Sequence, residues 1–337
     1  MKGFDAKWRD VPHFINGITH EIWEARHIGS LRRRYAPGLI VRSPASVVVD
    51  NSGVIAATMA TLAEFPNREL LGEDVIWCDD PDGATATSDA YLSSHRLICT
   101  ATHTGPGVYG APTGRRVRYR ILADCAIHAD AVYDEWLVRD QSAIVTQLGF
   151  DTVDWTRDLI AREGGPDACV RPMTATNDVA GPYTRRGNDN EWGTRLADTL
   201  SRIMAAEMDV IPTRYDRAAL LHLPGGQTGN GWRDADEFWM GLRAAFPAAV
   251  FTVEHVIGRD DPLMPPRAAV RWSLAGKHGG WGRFGTPTGA EVYIMGITHA
   301  EFGPFGQTGD PAIRRDCTLI DETAIWKQIL LATGAHE

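Results

Sequence analysis

Three segments of this chain recur in the same order, and no other feature restricts its fold as much. FPNRELLGEDVIWCDDP (65–81) matches FPAAVFTVEHVIGRDDP (246–262) at eight of seventeen positions, with an offset of 181. HTGPGVYGAPTG (103–114) matches HGGWGRFGTPTG (278–289) at seven of twelve, offset 175, and DQSAIVTQL (140–148) matches DETAIWKQI (321–329) at offset 181 again. A weaker match sets IWEARHIGSLRRRY (22–35) against IMAAEMDVIPTRY (203–215). The offset drops where loop 82–95 is shortened in the second copy and recovers where that copy lengthens near 302–313. Length changes confined to loops are what duplicated domains accumulate. A repeat of this length far exceeds a solenoid unit of about 20–45 residues, so each copy is expected to own a core. The chain divides into 1–154, a Gly/Pro/Asp/Asn-rich linker 155–192, and 193–337.

Within a copy, helices come first and strands follow. Apolar residues recur at helical spacing over 14–34 (Ile15, Ile18, Ile22, Trp23) and 52–64 (Ile55, Met59, Leu62). Strand patterns follow at 70–79, 91–102, 115–127 and 131–139, separated by Gly, Pro and Asp. The second copy predicts helices 192–209 and 234–245 and strands 249–259, 267–277, 290–302 and 314–320. That order makes each copy an α+β domain with a mainly antiparallel sheet.

Charge and cysteine content remove several function classes. A formal net charge of −9 argues against nucleic-acid binding, which shows itself as a basic domain. Five scattered cysteines without a CxxC suit reduced thiols in a cytoplasmic protein. No apolar run approaches the ~20 residues of a membrane span. Gly105–Gly110 and Gly280–Gly285 both spell GxGxxG, but each leads into Pro-Thr-Gly and a strand, with no helix to receive a dinucleotide's pyrophosphate. His255, His278 and His299 lie on separate segments, and neither a metal nor a cofactor is expected.

ATHTGPGVYGAPTGRRV, followed by DEWLVRDQSAIVTQLG, resembles the SnoaL-like polyketide cyclases of the nuclear-transport-factor-2-like superfamily. The resemblance covers residues 14–150 well and 195–335 more weakly. It implies two tandem cone-shaped α+β barrels, each with N-terminal helices packed on a strongly curved sheet and a pocket at the open end. It also implies a cofactor-free enzyme in which a pocket carboxylate is general acid/base on a small carbonyl compound. The sheet-to-sheet homodimer common in the family would here be an intramolecular pseudo-dimer, with further pairing left open. The chain departs from the family's E-H-W pattern: copy one has Asp134-Glu135-Trp136 and copy two Arg315-Asp316-Cys317. A non-catalytic small-molecule-binding or scaffold protein of the same fold is the alternative.

The candidate catalytic residues are Asp140, Asp124 and His103. Asp140 and its counterpart Asp321 begin DxxAI segments, so each is either a helix N-cap or the pocket acid. Asp124 shares a strand face with His128 and reads as a polar pocket residue. Candidate substrate contacts are Arg96, Trp136, Tyr109, His299, Glu301, His278 and Asp321. Arg96 and its counterpart Arg271 need a carboxylate partner if buried, and Asp124 or Asp140 would be the simplest one. His103 and His278 open the two glycine loops, where they orient a carbonyl or hold the loop backbone. Because the frame repeats and the polar residues differ, one working site is expected in place of two equal ones.

Overall fold

The computed structural model describes residues 1–307 and 309–335. Copy one begins with α1 (Val11–Thr19), whose Asp10 cap accepts a hydrogen bond from the His13 N–H, and a π-helical turn, His20–Glu24, extends it. There follow α2 (Leu31–Arg34), β1 (Ile40–Ser43), β2 (Ser46–Val49) and α3 (Asp50–Glu64). Next come β3 (Glu69–Asp79), β4 (Ala90–Thr102), β5 (Arg116–His128), β6 (Ala131–Arg139) and α4 (Gln141–Gln147). Helix α5 (Thr152–Arg162) then leads toward copy two: α6 (Glu191–Met204), α7 (Val210–Arg214), β7 (Tyr215–Leu223), β8 (Gln227–Asn230) and α8 (Trp232–Ala245). It ends with β9 (Val250–Arg259), β10 (Arg267–Lys277), β11 (Glu291–Gly303), β12 (Ala312–Ile320) and α9 (Glu322–Thr333).

The two sheets have one topology, β2-β1-β6-β5-β4-β3 and β8-β7-β12-β11-β10-β9. Each is antiparallel except for one parallel pair, β1 with β6 and β7 with β12. The short strands β1, β2 and β8, the longer β7, the short helix α7 and the helix α5, which occupies the start of the expected linker 155–192, are elements the sequence pattern did not show. Four-residue strands such as β1, β2 and β8 give too little alternation to register as strands.

Each sheet buries one face under its own helices and the other against its twin. Phe14, Ile15, Ile18 and Ile22 pack on Val75, Cys125 and Ile127 in copy one. Between the sheets, Ile76, Leu92, Leu122 and Val138 meet Ile257, Ala269, Ile297 and Leu319. The chain that connects the copies also belongs to this core, through Met173 and Tyr183. Arg42 of β1 donates to Asp134 (2.5 Å) and to Asp178 of the connection (2.7 Å). The connection then runs beside β9, with Asn188 N–H donating to Val256 C=O and Val256 N–H to Arg186 C=O.

Gly187 makes that approach possible. Its φ is +96°, and a Cβ there would lie 1.7 Å from the Val256 carbonyl oxygen. Gly187→Ala is therefore expected to lower stability by more than about 1 kcal/mol, read as a fall in the urea midpoint. An unchanged midpoint would mean that the strap contributes nothing to the fold.

Candidate functional site

Of the sequence-derived candidates, Asp124, Arg96, His299, Glu301 and Trp136 lie on the inter-sheet face and not in a pocket beneath the helices. The reason is strand parity: even-numbered residues of β4 and β5 turn toward the other sheet. Ser94 Oγ–H donates to Asp124 Oδ1 (2.5 Å), and Arg271 Nε of copy two donates to Oδ2 (3.2 Å), which also faces His255 Nδ1 at 3.3 Å. His255 Nε2 lies 2.8 Å from the Tyr183 hydroxyl, and His299 Nε2 lies 2.7 Å from Ser94 Oγ. Ser94 points its proton at Asp124, a carboxylate whose pKa of about 2 makes it a weak base, and not at an imidazole, so the group lacks the serine-to-histidine arrangement of a nucleophilic triad. Burial alone would raise the Asp124 pKa, but the His255 hydrogen bond and charge, Arg271 and Ser94 outweigh it and bring it down to about 2. Arg96 pairs with Glu73 (3.2 Å) and Glu301 (3.4 Å), while the Arg42 and Arg271 guanidinium groups lie over the Trp136 ring, 4.6 and 4.0 Å from its centre.

Asp140 and Asp321 cap α4 and α9. Asp140 also accepts the N–H groups of Gly225 and Gly226 from copy two, both at 2.8 Å, at the wall of an inter-copy cleft of about 260 Å³. Burial pushes its pKa up to about 6 against those donors. His103 and His278 do one job twice. Each Nδ1 sits beside a loop threonine, Thr113 at 3.2 Å and Thr288 at 3.1 Å, and each ring lies against a phenylalanine, Phe65 or Phe246. Tyr109 stacks on Trp155, its ring centre 5.6 Å away. His255 and His299 flank Asp124, and among the described residues no group of three or more His, Cys, Asp or Glu is placed to hold a metal ion.

A different carboxylate occupies the helix-covered face of copy one. Ser93, Cys125 and Glu135 lie side by side across β4, β5 and β6, and Glu135 shares a hydrogen bond with the buried Tyr35. Desolvation raises Glu135 to about 7, with Asp134 adding to the shift. One of its oxygens, Oε2, is buried without a partner, as is His95 Nδ1 on the same face, while Ser93 sits against the Cys125 thiol. Burial holds His95 down to about 4, so its imidazole is neutral.

The same pair exists in copy two, at the positions the repeat assigns. Tyr215 donates its hydroxyl proton to Asp316 (2.6 Å). The neighbours of Asp316 across the sheet are Ala300 and Ala268, where copy one has Cys125 and Ser93. Every polar atom in this second pair is engaged: Thr318 donates to Asp316 (2.7 Å) and Trp239 donates to Tyr215 (3.1 Å). Two tryptophans fill the space, Trp239 from α8 and Trp272, whose ring lies over Gly296. Copy one has Thr58 and Leu97 at those places. Helix α8 fully buries Phe238, Trp239 and Leu242, whereas α3 fully buries only Asn51, Thr58 and Glu64 and packs Val54 and Ile55, half-buried, against the core. A cleft of about 470 Å³ borders Tyr35, Pro37, Tyr133 and His128 beside the first pair.

The tyrosine–carboxylate pair escaped sequence reasoning although its signal was present. Tyr35 and Tyr215 end the weakest of the matched segments, and Glu135 stands where the resemblance expected histidine.

No family model matches this sequence, and no curated protein does. Solved structures do match. The chain is similar to SnoaL-like polyketide cyclases. IdmH of Streptomyces antibioticus, a candidate polyketide cyclase, is 20% identical over 41% of this chain and 97% of its own, with a TM-score of 0.35. A candidate SnoaL-like polyketide cyclase from a Jannaschia species is 18% identical over 44% and 97%, TM-score 0.34. A protein of Catenulispora acidiphila with a ketosteroid isomerase-like fold is 9% identical over 42% and 96%, TM-score 0.34. Function has to be argued from the side chains themselves.

Proposed function

We propose that copy one is a cofactor-free acid–base site for a small carbonyl compound, and that copy two is its structural mate. One observation carries the reading. Burial raises both Glu135, to about 7, and its counterpart Asp316, to about 6, but Glu135 keeps an unsatisfied oxygen while Asp316 is fully engaged. A carboxyl poised near 7 can take and return a proton beside a carbonyl, as aldol closure or isomerisation requires. Tyr35 would orient it. Neutral His95 and Ser93 offer further polar contacts on the same face. The cleft that Tyr35 lines supports access at the Tyr35 end of the pair. Of the three catalytic candidates drawn from the sequence, Asp140, Asp124 and His103 are each held by the contacts described above, which leaves Glu135 as the acid–base group of this proposal.

The test follows α-proton exchange of small methyl ketones and cyclic diketones in D2O by NMR, with the full chain as catalyst. Glu135→Gln is expected to lower any catalysed exchange by about 100-fold or more. Asp316→Asn is expected to leave it within a few-fold. Equal exchange by wild type and Glu135→Gln would remove Glu135 from the chemistry. Saturable ketone binding without exchange would favour the alternative, a binding protein.

A further inference from the structure

The helix-covered face of copy one carries two arginines that the site's proton chemistry does not use. Arg139 ends β6, four residues beyond Glu135 and on the same face, and is half-buried. Arg68 precedes β3 and is 3% exposed. Both lie within electrostatic reach of Cys99 and Tyr119, which pair across β4 and β5 on that face. The Nε of each is buried with no hydrogen-bond partner, and among the described residues neither guanidinium forms an ion pair. Glu64 and Asp321 act on Arg139 only at longer range, as Glu24 does on Cys99.

An arginine taken out of water without a carboxylate is costly, and apolar replacements of similar volume are commonly neutral or stabilising. Copy two shows that this fold does without the charges. At the matched positions it has Ala249 for Arg68, Ile320 for Arg139, Leu274 for Cys99 and Ile294 for Tyr119, and Leu274 pairs with Ile294 as Cys99 pairs with Tyr119. The guanidinium groups of copy one therefore have no counterpart in copy two, and among the described residues no carboxylate forms an ion pair with them. Planar guanidinium forks suit a carboxylate or an enolate.

We infer that the ligand of copy one carries an anionic oxygen group, held by Arg68 and Arg139 at the end of the face opposite Glu135. This deepens the proposed function and rests on the same face being the binding site. Four residues of extended strand separate Glu135 from Arg139, about 13 Å between backbones, so the anion and the reacting carbonyl are at opposite ends of one small molecule.

The experiment compares 8-oxononanoate with its methyl ester, by calorimetric titration of the full chain. Wild type is expected to bind the acid at least about tenfold more tightly than the ester, the effect of one charge-assisted pair. Arg139→Met and Arg68→Met are expected to erase that preference while leaving the urea midpoint equal or higher. No acid binding, equal binding of acid and ester, or an undiminished preference in both variants would overturn the inference. So would a lower midpoint with the preference intact, because the arginines would then be structural. Glu135→Gln should retain the preference for the acid. Retained binding without α-proton exchange by wild type would leave the anion site standing and defeat the acid–base function.

Discussion

Replacing Asp124 with alanine is expected to cost roughly 3–5 kcal/mol of stability, the usual effect of removing one partner of a buried ion pair. Arg271 and His255 would be left facing each other between the sheets, and Ser94 would lose its acceptor. The measurement is urea unfolding at pH 7, and a loss below about 1 kcal/mol would mean that water or a rearrangement replaces the carboxylate. The same variant separates an interface role from a pocket role, since a pocket base can be removed with little loss of stability. The pH dependence carries a sign. Asp124 has its folded pKa lowered to about 2, so its contribution is complete above the unfolded value near 3.9 and is lost as pH falls through 2. The buried His255 and His299 are also lowered, so unfolding takes up protons below about 6.5. Their stabilisation is lost as pH falls below that value, well before Asp124 titrates.

Glu135 works in the opposite direction. Its folded pKa of about 7 lies above the unfolded value near 4.3, so the folded chain binds the extra proton in that window and loses stability as pH rises across it. Above pH 7 the penalty is on the order of 3–4 kcal/mol. Glu135→Gln removes it and keeps a hydrogen-bonding partner for Tyr35. The variant should exceed wild type in stability by roughly that amount at pH 8, and the difference should vanish near pH 4. Because Asp140, Asp316 and Asp321 are raised in the same direction, only the difference between variant and wild type isolates Glu135. A difference that does not change with pH would mean that Glu135 is not the titrating group, and the proposed chemistry would fall with it. A variant that is both more stable and inactive is what a strained functional residue gives.

What could be read from the sequence follows from which interactions are local. Matched segments, strand patterns and the Asp caps at Asp140 and Asp321 depend on neighbours a few residues away. Asp124 and Arg96 were recognised as polar residues needing partners, but a strand's alternation says only that two faces differ. It does not say which face meets helices and which meets a second sheet. The strand pattern therefore suits a pocket for Asp124, whereas its partners Arg271 and His255 are more than a hundred residues away.

By itself the sequence determined that the chain is a duplication, that each half is α+β with its helices leading, and where the polar residues of the two halves diverge. Only the tertiary structure decided what that divergence means. It set the two sheets face to face, which turned the expected pocket residues into interface. It also brought Tyr35 to Glu135 and Tyr215 to Asp316, across about a hundred residues in each copy. Burial then separates the two pairs. The second is closed by Trp239 and Trp272, and the first is left with an unsatisfied oxygen under a helix whose apolar side chains Val54 and Ile55 are only half-buried. Partner identity and desolvation are properties of packing, and no spacing along the chain encodes them.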